Sequence, residues 1–339
     1  VTPLRARARM RRIAATPVEI TELGFGGAGI GNLYQAVDDD AALTAVKTAW
    51  DGGIRYFDTA PYYGAGLSER RLGRVLQGLP REEFVVSSKV GRLLVPNPHP
   101  VGRGVDVFDV PDDLLPVRDY SRDGVLRSIE ASLQRTGLDR LDVVFVHDPD
   151  DAWRQAADET MPALAELRDQ GVIGAIGAGM NQSAMLARFL RETPADVVML
   201  AGRYTLLDQG ALDDVLPTAV EHGKSVIAAG VFNSGLLATE RPAADATYDY
   251  AKAPHEVVTR AVRIAEICEE YDTTLPAAAI AFPLGHPAVV NVTVGMRTAT
   301  EVARNLDLHA DPISPDLWAH LRGEGLLREN TPLPGGSGS

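Results

Sequence analysis

Three apolar runs of this sequence each carry an ionisable side chain at or near their C-terminal end: Asp58 in IRYFDTA, Lys89 in FVVSSKV and His147 in LDVVFVH. Just past Asp58, PYYG places Tyr62 and Tyr63 ahead of the next helical stretch. A tyrosine is a poor acid or base near neutrality unless a cation favours its phenolate, and Lys89 would supply that cation. Asp58 would hold the lysine as an ion pair, and His147 would hydrogen-bond a substrate oxygen. Each residue alone is more often structural. Their joint placement at successive strand ends points to proton transfer at a carbonyl or hydroxyl oxygen.

That reading needs elements that bring strand ends together. From about residue 38 the chain alternates amphipathic helical stretches with short runs rich in Val, Ile and Phe, the rhythm of parallel strands covered by helices. IGAIGAG, DVVMLAG, SVIAAGV and VVNVTVG continue the series, and the early run EITELGF brings it to about eight strands. Eight closes a parallel (β/α)8 TIM barrel, an α/β fold, although rhythm alone leaves a doubly wound open sheet as a rival. No linker interrupts the series, so one domain is expected over 13–328, after a basic N-terminal arm (1–12) and before a flexible tail (329–339).

Composition narrows the function classes. The 339 residues carry a formal charge of −13, which would repel a nucleic acid. No run approaches a membrane span, and the basic start lacks the apolar core of a secretory signal, so a cytoplasmic protein without a membrane or nucleic-acid partner is expected. The single cysteine, Cys268, excludes an internal disulfide and reads as a semi-buried thiol on a helix. His147, Asp148, Asp150 and Asp151 do not make a metal site, because adjacent strand residues point to opposite faces, and no metal is expected.

Gly24, Gly26 and Gly29 match G-x-G-x-x-G, yet GNLYQAVDDD follows where a dinucleotide fingerprint needs a helix to open at once. A strand-end turn is the better reading. The rhythm also breaks at residues 92–121 and around 238–253, segments long enough to cover a substrate.

The sequence resembles the aldo-keto reductase superfamily from about residue 12 to residue 309. FDTAPYYGAGLSERRLG matches the family's most diagnostic stretch, SSKVG supplies its lysine and VHDPD its histidine. The resemblance implies a barrel that binds NAD(P) without a Rossmann fold and a catalytic tetrad of Asp58, Tyr63, Lys89 and His147. It also implies nucleotide contacts at Gly27 in the first strand turn, at Asn181 in IGAGMN and at Tyr204 in AGRYTLL. AAGVFNSGLLA (Gly230, Val231, Phe232, Asn233, Ser234, Gly235) would wrap the pyrophosphate, and VGMRTATEVARNL (Gly295, Met296, Arg297, Thr298, Glu301, Asn305) would meet the adenosine. Glu301 stands where some NADPH-specific relatives carry a base, so either NAD or NADP is implied, with a lean to NAD.

Within the superfamily, AGRYTLLDQ, FNSGLLA and VHDPDD look most like the sugar and pyridoxal dehydrogenase branch, which includes L-fucose (D-threo-aldose) 1-dehydrogenases. The implied reaction is oxidation of an aldose at C1 to its lactone, with Arg92, Asp148 and Trp153 as sugar contacts. An NADPH-dependent reductase of aldehydes or ketones is the alternative, and a non-catalytic nucleotide-sensing subunit is a third. The expected partner is a small sugar or aldehyde, and the expected assembly a monomer or small homo-oligomer.

Overall fold

The computed structural model describes residues 9–243, 245–249 and 251–335. Eight parallel strands close a barrel: β1 (Leu23–Gly26), β2 (Tyr56–Asp58), β3 (Val85–Val90), β4 (Val143–His147), β5 (Ala175–Met180), β6 (Val197–Ala201), β7 (Ser225–Ala229) and β8 (Val289–Gly295). Neighbours in sequence are neighbours in the sheet, and β8 pairs β1, with Val292 opposite Leu23, to close it. The rival open sheet is thereby excluded.

The strands read as continuous apolar runs because both faces are covered. Outward residues such as Phe57, Val86, Val144 and Val198 pack under the helices. Inward residues follow the two-residue period: Tyr56, Val143, Phe145, Val197 and Ile227 fill the lower interior, and one pleat further on come Asp58, Lys89 and His147. Helices between strands are stopped where their sequences demand. Helix α1 (Asp39–Asp51) begins where the Asp38 carboxylate accepts from the Ala41 amide, and α2 (Leu67–Leu76) follows the tyrosine loop. Helix α3 (Arg122–Thr136) is capped by Ser121 and ends at Gly137 with φ 63°.

The run EITELGF divides. Glu19–Thr21 pairs antiparallel with Met10–Arg12, and only Leu23–Gly26 enters the barrel. Met10–Arg12 was expected within a basic arm; instead Arg11 donates to Glu22 at 2.6 Å and to the Val289 carbonyl at 2.9 Å, which fixes the hairpin beneath the barrel. Residues 1–8 lie outside the described set. At the other end, Thr331 is buried and Pro334 lies against Gly285, so the segment up to 335 packs on the body where a flexible tail was expected. Residues 336–339 lie outside the described set.

Both irregular segments rise from the mouth. In the first, Arg92–Pro96 pairs with Leu114–Arg118 and Arg103–Val105 with Phe108–Pro111. This second hairpin docks on the β1 turn, where Asn32 and Asp109 exchange hydrogen bonds at 3.0 Å. In the second, Thr247–Tyr248 pairs with Ala251–Lys252. No described helix is long and apolar enough to cross a membrane.

Candidate active site

Asp58, Tyr63, Lys89 and His147 line one cavity of about 280 Å³ at the C-terminal mouth of the barrel. The Lys89 ammonium donates to both oxygens of Asp58 (2.9 and 2.7 Å) and to the Thr59 carbonyl (3.0 Å). Asp58 also accepts from Ser87 Oγ at 2.7 Å, and Ser87 shares a 2.8 Å hydrogen bond with Tyr56. Asp58 and Lys89 are each 2% exposed, so this pair is dry and its charges are fixed by one another.

Lys89 Nζ lies 4.6 Å from the centroid of the Tyr63 ring. Burial opposes the lysine's charge, but Asp58 and Tyr63 more than offset it and its pKa stands above the ordinary value. Tyr63 is pushed up to about 12 by burial, against the pull of Lys89 and with a push from Asp58. Without ligand it is therefore a neutral phenol beside a cation. His147 meets the Tyr63 ring edge-on at 5.8 Å, and its pKa is driven well below the usual value by burial, then by Lys89 and Arg92.

The rim carries a second ion pair, Arg92 Nη2 to Asp148 Oδ2 at 2.8 Å, with the guanidinium 4.2 Å from the Tyr62 ring centroid. Leu33, Tyr62, Val107 and Phe108 form an apolar wall. The sequence marked 92–121 as a substrate-covering segment, but without periodicity it gave no signal that Val107 and Phe108 are the residues of it that face the cavity, and none for Leu33. Met199 and Thr293 were also missed; they are the inward residues of runs whose alternation the apolar composition conceals.

A second, polar cleft opens beside this cavity. The loop after β7 holds Gly230, Asn233, Ser234 and Gly235 at φ 62°, 46°, 58° and 94°, a run of left-handed turns closed by the Asn233 amide on the Gly230 carbonyl and the Gly235 amide on the Phe232 carbonyl, each at 3.0 Å. A Cβ on Gly230 would stand 3.1 Å from the Gly202 amide, and Asn233 Oδ1 is buried without a partner among the described residues. Asn181, Ala201, Gly202, Arg203 and Asp249 complete this cleft, where Arg203 and Asp249 pair at 2.9 Å. Asn181, Gly230 and Gly295 also line the main cavity.

Other expected contacts are placed elsewhere. Tyr204 is buried against Phe282 and His286, because the chain turns it behind the sheet after β6. Gly27 does not line the cavity; a Cβ there would meet the Asp58 carbonyl at 2.6 Å, so its lack of a side chain serves strand packing. Trp153 meets Phe189 edge-to-face at 4.8 Å and lies under Arg188, and does not line the cavity. The Val231 and Met296 side chains are buried in the core, Phe232 packs against it, Thr298 caps the helix Ala299–Ala310, and Asn305 is buried in that helix. Arg297 is engaged by Glu301 at 2.9 and 3.2 Å. Among the described residues no group of three or more His, Cys, Asp or Glu is placed to hold a metal ion.

Comparison with known proteins agrees with this fold. The chain is 47% identical over 312 residues to the D-threo-aldose 1-dehydrogenase of a Pseudomonas species, covering 91% of this chain and 95% of that one. It is 38% identical over 338 residues to the pyridoxal 4-dehydrogenase of Microbacterium luteolum, covering 94% and 97%. Among solved structures, the glycerol dehydrogenase of Gluconobacter oxydans shares the fold with a TM-score of 0.76 at 23% identity, over 97% of this chain and 98% of that one. Residues 22–323 match the Aldo/keto reductase family, and the chain belongs to it as an oxidoreductase of the NAD(P)-using kind.

Proposed function

We propose that this chain is an aldose dehydrogenase that oxidises C1 of a free sugar to its lactone with Tyr63 as the proton-transfer residue. The observation that carries the reading is the Asp58–Lys89 pair buried against the Tyr63 ring. It supplies a fixed cation next to a phenol, which favours the phenolate against the burial that opposes it. The 47% identity to a D-threo-aldose 1-dehydrogenase supports the substrate class.

Asn181 and the Gly230–Gly235 loop would hold a nicotinamide nucleotide, which would supply the two-electron acceptor for the hydrogen on C1. Tyr63, as phenolate, takes the proton of the C1 hydroxyl, and Lys89 holds the resulting change of charge while Asp58 keeps Lys89 in place. As the C1–H bond breaks, the electron pair of the O–H bond becomes the second bond of the lactone carbonyl. His147 orients that oxygen. Its buried Nδ1 has no partner among the described residues, and a buried N–H without an acceptor is costly, so the proton sits on Nε2. Nε2 instead faces the Asp148 carboxylate, with Oδ2 at 3.6 Å, and that negative charge favours a proton on this nitrogen.

The nucleotide preference we infer is NAD(H). Glu301 occupies the Arg297 guanidinium and also accepts from the Arg297 amide at 2.7 Å, which leaves little of that charge for a 2′-phosphate. One observation favours the reverse reaction: a phenol held neutral suits a proton donor in carbonyl reduction. A panel of free sugars, pyridoxal and simple aldehydes, run with NAD(H) and NADP(H) and followed by nicotinamide absorbance, decides. Aldose oxidation with NAD as the fastest reaction supports the proposal; aldehyde reduction with NADPH far outpacing it would overturn it.

A further inference from the structure

Asp148 follows His147 at the strand end and adopts φ 44°, a left-handed conformation that costs a non-glycine residue energy. Hydrogen bonds hold it there. Its amide donates to the Gly179 carbonyl at 3.1 Å, and the single Tyr120 O–H proton is shared between the carbonyls of His147 (2.7 Å) and Asp148 (2.8 Å). Tyr120 is itself packed over Gly91, where a Cβ would collide with its ring. The backbone is thus fixed so that the carboxylate reaches the cavity that holds His147.

Only one carboxylate oxygen is used. Oδ2 accepts from Arg92, whereas Oδ1 has no protein donor among the described residues, and the side chain stays 31% exposed. Burial raises the Asp148 carboxyl above its ordinary pKa, and Arg92 opposes the rise. The cavity wall opposite is the apolar set around Tyr62 and Phe108. A free carboxylate oxygen accepts hydrogen bonds and donates none, so its complement is a substrate hydroxyl near the reacting carbon.

We infer that Asp148, held by Arg92, is the specificity-determining acceptor for a hydroxyl one or two carbons from the reacting C1, selecting neutral polyhydroxylated aldoses. The inference rests on the aldose reading above. A substrate without that hydroxyl leaves Oδ1 without a donor once the cavity is filled, the situation in which a polar site discriminates most strongly. An anionic sugar meets Asp148 as a like charge, and Arg92 offers it little because Asp148 already engages its guanidinium.

The test crosses a deletion in the enzyme with a deletion in the substrate. L-fucose and its 2-deoxy and 3-deoxy analogues are oxidised by the native chain and by Asp148→Asn, with kcat/KM measured for each. The native chain is expected to lose about 10- to 100-fold on one deoxy analogue, the loss of a hydrogen bond to a charged group. Asp148→Asn is expected to bring the two sugars within about threefold of each other, the non-additivity that marks a direct contact. Reduction of glyceraldehyde and of its 3-phosphate by both proteins supplies the second readout, and the preference is expected to move towards the phosphate when Arg92 is released. Retained discrimination among the sugars in Asp148→Asn, with its melting temperature near native, overturns the inference and leaves the aldose reading standing. Should the variant fold poorly, Arg92→Met gives the same comparison through a mispositioned Asp148. Absence of aldose turnover by the native chain overturns both.

Discussion

At the floor of the barrel, Ile13, Val18 and Ile20 of the N-terminal hairpin segment seal the interior against Tyr56, Val143 and Ile227. At the mouth, further towards the C-terminal ends of the barrel strands, Asp58, Lys89 and His147 face a cavity. The difference lies in what each end asks of its inward positions. The floor needs volume and shape, which any well-fitted apolar set supplies. The mouth buries an ion pair and a neutral histidine, groups that folding alone has no reason to favour. It can carry them because the floor and the helices outside provide the stability.

Four measurements can break or sharpen this contrast. Tyr63→Phe keeps the ring and loses the proton-transfer group, so aldose turnover should fall about 10²- to 10⁴-fold with nucleotide binding retained by fluorescence titration; near-normal turnover ends the assignment. Ile20→Ala should do the opposite, costing about 2–5 kcal/mol in urea unfolding while leaving kcat close to native. A loss of kcat in proportion to stability would show that the two ends are not separable. The third measurement is a pH profile. Tyr63 pushed up to about 12 must ionise before it accepts a proton, so kcat/KM for oxidation should climb by up to about tenfold per unit from about pH 7 to 10. A profile flat over that range contradicts Tyr63 as the base. The smallest effect is expected from Glu301→Gln, which releases the Arg297 guanidinium and should raise the NADP-to-NAD ratio of kcat/KM about threefold to tenfold; an unchanged ratio removes this pair from cofactor choice.

The same contrast explains what could be read in advance. Each of the seven apolar runs from IRYFDTA onward contains a barrel strand, since strands covered on both faces announce themselves by composition. The placement of Asp58, Lys89 and His147 at the mouth followed from their position at the ends of those runs. EITELGF was harder, because a turn through Glu22 divides two strands that belong to different sheets. Tyr204 and Trp153 were misplaced for another reason. An aromatic just past a strand or at the start of a helix can turn towards the core or the cavity, and their partners Phe282 and Phe189 are distant in sequence. Phe108 had no signal of its own, as its position depends on a hairpin docked through Asn32 and Asp109.

Arg11 is bonded to the carbonyl of Val289, 278 positions away, and β8 pairs with β1. During synthesis, then, the sheet has two open edges until nearly the whole chain has emerged, and open edges invite pairing with another copy. The Asp58–Lys89 pair joins neighbouring strands and can form early, whereas Thr293 and Gly295 of the cavity wall arrive with the closing strand. A nascent chain holds its charged pair before it has a pocket, so truncation before residue 289 should yield aggregation-prone protein rather than a smaller enzyme.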